Sequence, residues 1–131
     1  MGVNIRYCRN MEEVLDCGTD FVITNYERVR DGHIVPAEFK VVTLDEGSVL
    51  RSYGTQTTQK FMELCGATKY RFIATATPAP NRYLELTNYA DFLGIMDRGQ
   101  TLTRFFQRNP TKAGDLTLYP HKEEEFWLWL C

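Results

Sequence analysis

No glycine in this chain is followed by lysine or arginine, no two cysteines form a CxxC pair, and no apolar run reaches the length of a membrane span. Each absence excludes something. Without GxxxxGK[ST] there is no glycine-rich loop whose backbone N–H groups cradle phosphates, and no lysine beside it to neutralise them. Cys8, Cys17, Cys65 and Cys131 are scattered, with no histidine at metal-ligand spacing. That argues against a zinc site and a disulfide framework, and fits a reduced, intracellular setting. With no stretch of about 18 apolar residues and no basic-then-apolar start, the sequence reads as soluble, without a membrane partner. A formal net charge of -2 leaves no basic footprint, so any contact with nucleic acid must be local.

What is present suits one compact domain: 131 residues, 44% hydrophobic and 13% aromatic, are enough to build a buried core. Short apolar runs rich in β-branched and aromatic residues predict strands over 3–7, 21–24, 39–44 and 70–75. Between them lie helix-like stretches, with Asn10 expected to cap 11–17, Thr55 or Thr57 to cap the stretch to Leu64, and Gly66 to close it. Strand alternating with helix predicts an α/β fold with a parallel sheet flanked by helices. The runs VVTL and FIAT lack polar alternation and are expected to be buried on both faces. Asp45-Glu46 and Thr75-Ala76-Thr77-Pro78 then leave the carboxyl ends of two strands, the edge at which open α/β sheets bind ligands. A helix is expected over 81–93. Beyond it Gly99, Asn109-Pro110 and Ala113-Gly114 mark loops before a last apolar segment, 126–130. Phe126, Trp127 and Trp129 have little chain after them to cover them, which fits either a cut boundary or a terminal helix folded back on the core. His33 and His121 read as turn or surface residues, and 122–125 as a solvated helix start.

Two short motifs carry chemistry. VVTLDEGS ends a strand with two adjacent carboxylates, the layout of a Walker B element. Magnesium is a hard cation that favours carboxylate oxygens, so the first acid suits a metal bridging two phosphates, and the second can orient and deprotonate a water. Alone, such a pair is more often a solvated loop. At the end of the next strand, Thr75 and Thr77 offer two hydroxyls that can hydrogen-bond the carboxylates, although TATPAP alone also reads as a plain strand-to-helix turn.

Taken in order, ITNYE (23–27), LDEGSVLR (44–51) and ATATPAPNRYLEL (74–86) resemble motifs Ib, II and III of the Swi/Snf-type superfamily-two helicase-like ATPases, especially the compact forms of bacteriophages and bacteria, and the downstream FLG (92–94) also fits. The resemblance runs from about Tyr7 to the C-terminus. It implies a partial RecA-like P-loop NTPase lobe lacking the Walker A half. Residues 1–94 would be the second half of the first ATPase lobe, and 95–131 a helical or irregular extension toward a missing second lobe. It also implies ATP and Mg2+ as ligands of the complete enzyme, with Asp45 holding the metal, Glu46 activating water, and Thr75 and Thr77 coupling the nucleotide to the rest of the lobe. Thr24, Asn25 and Tyr26 would lie toward DNA, where a Thr-Asn pair opening a helix offers donors to phosphate; a plain N-cap at Asn25 explains the same residues. The implied location is the cytoplasm of a bacterium or phage-infected host.

The sequence departs from the family pattern in two places. Gly47-Ser48 follows the acids where many relatives have Ala-His, and Arg51 stands where the compact relatives commonly have lysine. The phosphate cradle and the arginine-finger motif QxxGRxxR are both missing. An arginine finger is worth ~10³ to 10⁵ in rate, so this chain alone is expected not to hydrolyse ATP. It is also expected to self-associate through an unpaired sheet edge. The leading expectation is a fragment of a DNA-dependent ATPase motor. A viral DNA-packaging ATPase fragment and a non-catalytic remnant that binds a partner through exposed C-terminal aromatics are the alternatives.

Overall fold

The computed structural model describes residues 2–52, 54–78 and 82–130. The chain is mixed α/β, and it divides into two compact units whose boundaries fall inside two of its strands. The first unit comprises residues up to Val42 together with Gly54–Arg71; the second comprises Thr43–Tyr53 and everything from Phe72 onward.

In the first unit, β1 (Ile5–Tyr7), α1 (Met11–Asp16) and β2 (Phe21–Ile23) form a parallel crossover, with Ile5 opposite Phe21 and Tyr7 opposite Ile23. Helix α1 starts where expected because the Asn10 side chain accepts from the Glu13 N–H at 2.9 Å, and Glu12 and Glu13 complement the dipole of its first turn. Short α2 (Tyr26–Arg30) leads to a 3-10 turn at Pro36–Glu38 and then to β3 (Val41–Asp45). Helix α3 (Gln56–Cys65) is capped by Thr55 rather than Thr57, through the Thr58 N–H at 3.2 Å. Gly66 does close this helix, but in a right-handed conformation, so its freedom at positive φ goes unused. Cys8, Ile34, Phe61 and Cys65 are buried here, and the Tyr26 ring meets Phe61 edge-on at 5.3 Å. Burial pushes the Cys65 thiol up to about 11.

In the second unit, β3 ends and runs into a 3-10 turn (Gly47–Leu50), and β4 (Tyr70–Ala74), its hydrogen-bonded neighbour, ends close by in sequence to the Thr-Pro loop. Helix α4 (Leu84–Leu93) stops at Gly94, whose φ of 72° lets the Ile95 N–H reach back to the Ala90 carbonyl. Helix α5 (Arg98–Phe105), the hairpin β5 (Phe106–Arg108) and β6 (Leu116–Leu118), a 3-10 turn at Pro120–Lys122, and α6 (Glu123–Leu130) follow. Phe92, Phe105, Phe106 and Phe126 form the core, with Phe105 and Phe126 edge-on at 5.3 Å.

Several expectations change against this architecture. The described strands form three two-stranded ladders; β1–β2 is parallel, as expected, whereas β5–β6 is antiparallel because a short hairpin joins them. VVTL and FIAT are not buried on both faces: Leu44 is buried between exposed Thr43 and Asp45, and Phe72 is 54% exposed next to half-buried Ile73. Only the Leu44 and Ile73 side of these strand ends is packed, so the apolar runs alternate in burial without alternating in chemistry. Gly99, expected in a loop, lies in the first turn of α5, where the Asp97 side chain caps the Gln100 N–H and outweighs the helix penalty of glycine. Phe126 is fully buried, the folded-back alternative, while Leu128 on the same helix is 73% exposed. Glu125 is not simply solvated: Lys122 and Arg104 pair with it and hold its carboxyl below the usual range, joining α6 to α5. His33 and His121 are exposed, as expected. Asn81, Ala79 and Pro80, which belong to the third motif and the expected helix start, lie outside the described residues, as does Cys131.

Candidate functional site

The second unit brings the two chemical motifs to neighbouring strands. Asp45 is the last residue of β3, and Glu46 follows it at φ 52°, ψ 60°, the only non-glycine at positive φ among the described residues. Such a conformation costs of order 1–3 kcal/mol and persists only where its surroundings enforce it. Two contacts do so locally: the Ser48 N–H and the Ser48 hydroxyl both donate to the Glu46 carbonyl. Both acids are exposed.

Gly47 is buried, and its place explains the departure from Ala at this position. A Cβ added there would lie 2.3 Å from Cγ2 of Ile73 and 3.9 Å from the Tyr89 ring. The acid loop therefore sits directly against β4, in a space that admits hydrogen only.

Three residues on from Ser48, Arg51 ties the two motifs together. Its Nη2 donates to the Thr77 carbonyl at 2.9 Å and to Thr77 Oγ1 at 2.6 Å. Its Nε is buried without a hydrogen-bond partner. Thr75 Oγ1 in turn accepts from the Thr77 N–H at 3.3 Å. In these bonds both hydroxyl oxygens act as acceptors, so each keeps its proton to donate elsewhere. Thr75 also lines a cleft of about 310 Å3 with Ile73, Leu86, Tyr89, Leu93 and Trp129.

The two exposed carboxylates are of the chemical type that a magnesium ion arriving with a nucleotide would accept. Mg2+ keeps several waters and needs only one or two carboxylates beside phosphate oxygens, so Asp45 alone would be enough. No group of three or more His, Cys, Asp or Glu side chains that could hold a metal ion gathers among the described residues.

The SNF2-related domain model matches residues 7–118. This chain belongs to the SNF2-related domain family. Membership places it among helicase-like ATPases and implies a RecA-like fold. The match spans all three motif blocks and ends at the last residue of β6, so α6 lies beyond it. No curated protein and no solved structure matches the chain significantly.

The residues expected near DNA in this SNF2-related domain lie in the first unit. Asn25 is the N-cap of α2, its side chain accepting from the Arg28 N–H at 3.1 Å, so the capping explanation holds for its oxygen while its amide donors stay outside that bond. Tyr26 is committed to Phe61, and Thr24 Oγ1 is buried without a hydrogen-bond partner. The sequence marks Arg51 as a substitution for lysine but gives no sign of its link to Thr77, and it does not single out Asn88 or Tyr89. The sequence signal for Asn88 is weak: with Thr87 it sits between apolar residues on a helix that also carries Glu85 and Asp91. Among the described residues no helix is long and apolar enough to cross a membrane.

Proposed function

We propose that this chain is the second half of the first ATPase lobe of a DNA-dependent motor, acting in the cytoplasm of a bacterium or phage-infected host. The Arg51–Thr77 link carries the reading, because it couples the loop that follows the acid pair to the hydroxyl-bearing loop of the next strand. In this reading Asp45 would hold the Mg2+ that accompanies ATP, which would supply charge neutralisation at the phosphates. Glu46 orients and deprotonates the attacking water. Thr77, held by Arg51, and Thr75 report the state of the acid loop to the remainder of the lobe. The segment Thr24, Asn25 and Tyr26 lies toward the phosphate backbone of DNA, with the Asn25 amide as the donor while Thr24 and Tyr26 pack behind it.

The phosphate cradle and the arginine finger must come from outside residues 1–131, so ATP turnover is expected only when this segment is joined to both. The test is DNA-stimulated ATP hydrolysis by the protein extended upstream and downstream in its gene. Glu46→Gln is expected to abolish turnover and retain ATP binding; full activity in Glu46→Gln would overturn the assignment. The family match favours this reading over a packaging ATPase. A remnant that only binds a partner is favoured by one observation, the exposed face of Ile5, Tyr7, Phe21 and Ile23 on β1–β2. An in-frame P-loop upstream, with activity, decides against it.

A further inference from the structure

We propose that Asn88 is a positioning residue for the acid pair: it clamps the end of the turn behind Asp45-Glu46 and links that turn, through Arg98, to helix α5. The proposal rests on the reading of Asp45 and Glu46 as the hydrolytic acids.

Asn88 is 2% exposed on α4, a buried polar side chain like Thr87 beside it. Its amide is almost fully employed. Nδ2 donates to the Leu50 carbonyl at 2.8 Å and to the Arg51 carbonyl at 3.0 Å, and Oδ1 accepts from Arg98 Nε at 3.0 Å. Leu50 and Arg51 are the last residue and the C-cap of the 3-10 turn that begins at Gly47. The final carbonyls of a helical turn have no partner within it, so Asn88 is a C-cap supplied from a distant helix.

The consequence lies at the other end of the turn. Glu46 immediately precedes Gly47 and holds an unfavourable left-handed conformation. A four-residue turn has little slack: with Gly47 wedged against Ile73 and its last carbonyls held by Asn88, the direction in which the chain leaves Glu46 is determined. The same clamp fixes the backbone of Arg51, whose side chain reaches Thr77. A continuous chain of hydrogen bonds therefore runs from Arg98 at the start of α5, through Asn88 and Arg51, to Thr77 and Thr75. A displacement of α5 has a direct route to the acid loop, one that does not pass through the nucleotide.

Asn88→Asp tests this with little change of shape. It keeps the acceptor for Arg98 and removes both donors to the turn. In the 131-residue chain without nucleotide, amide exchange at Ser48 and Arg51 is expected to accelerate by about tenfold or more, with the β5–β6 amides unchanged. Unchanged exchange in the turn, or uniform acceleration through the second unit, overturns the proposal. In the extended, ATP-hydrolysing protein the same variant is expected to lower kcat by about 10- to 100-fold with KM for ATP nearly constant. A matching rise in KM with kcat retained also overturns it. Should Asn88→Asp not fold, Arg98→Met, which cuts the far end of the chain, is expected to accelerate the same amides by about threefold; no change there counts against the link to α5. Glu46→Gln, assayed beside them, separates the two claims: if it retains full turnover, the hydrolytic reading fails while the exchange result still judges the clamp.

Discussion

The β1–β2 ladder and the ends of β3 and β4 are built from similar apolar residues and are held in different ways. In β1–β2, Ile5, Tyr7, Phe21 and Ile23 are 59%, 50%, 57% and 57% exposed, and their register makes them neighbours on one apolar face. The ladder is held by its backbone bonds, which extend to Cys8 N–H on the Ile23 carbonyl at 3.0 Å. At the ends of β3 and β4, by contrast, side chains do the fastening: Ile73 meets Gly47, Arg51 grips Thr77, and Asn88 caps the turn. Backbone pairing suffices to make a strand, whereas a loop with a defined geometry needs locks of its own.

Substitutions can sharpen that contrast. The largest effect is expected in the core of the second unit, where Phe126→Ala removes a fully buried ring and should cost about 3–5 kcal/mol in urea unfolding. Phe21→Ala, on the open face of β1–β2, should cost well under that, about 1 kcal/mol or less. A comparable loss for Phe21 would mean that its face is covered in solution, for instance by self-association, and sedimentation would then show a dimer or larger species.

Next comes the wedge. Gly47→Ala is expected to destabilise by about 1–3 kcal/mol, since its Cβ would meet Ile73. Gly54→Ala, where a Cβ meets nothing within 4 Å, should change stability by only a few tenths, roughly ±0.5 kcal/mol. Adding Ile73→Ala to Gly47→Ala opens space for the new methyl, so a double-mutant cycle should show favourable coupling of about 0.5 kcal/mol or more. Strict additivity would mean that the acid loop does not rest on β4.

Smaller again is the cap of α2: Asn25→Ala should cost about 1 kcal/mol, read from thermal unfolding. Last comes a pH effect, confined to alkaline solution. Burial raises the Cys65 thiol from its ordinary 9.0 to about 11, so between these values the unfolded chain loses a proton that the folded chain keeps. The folded state then binds more protons, and stability must fall as pH rises through that window. Cys65→Ala should flatten this alkaline slope in a series of melts; an identical slope would place its origin elsewhere.

Part of this architecture is legible in the sequence. Asn10, Thr55 and Asn25 cap the helices they precede because capping is a local exchange between a side chain and an N–H three residues on. Asp45, Glu46, Thr75 and Thr77 stand out because two acids and two hydroxyls follow successive apolar runs, in the order of the family's motifs. The half-exposure of VVTL and FIAT is not legible, because an apolar run records the capacity to be covered, while the cover belongs to other parts of the fold. Gly47 is a mild departure from the family's pattern in sequence terms; only the Ile73 methyl beside it makes the missing side chain a requirement.

From its residues alone, this protein is a single-chain α/β segment with an acid pair and a hydroxyl pair at the ends of two strands, and without a phosphate cradle of its own. Those are properties of composition and of short-range spacing. That Arg51 joins the two pairs, that Gly47 must lack a side chain, and that Asn88 closes the turn were decided only when residues 26 to 38 positions apart met. Hydrogen bonds and steric contacts act over a few ångströms of space, whatever the distance along the chain, and only the folded backbone sets that space.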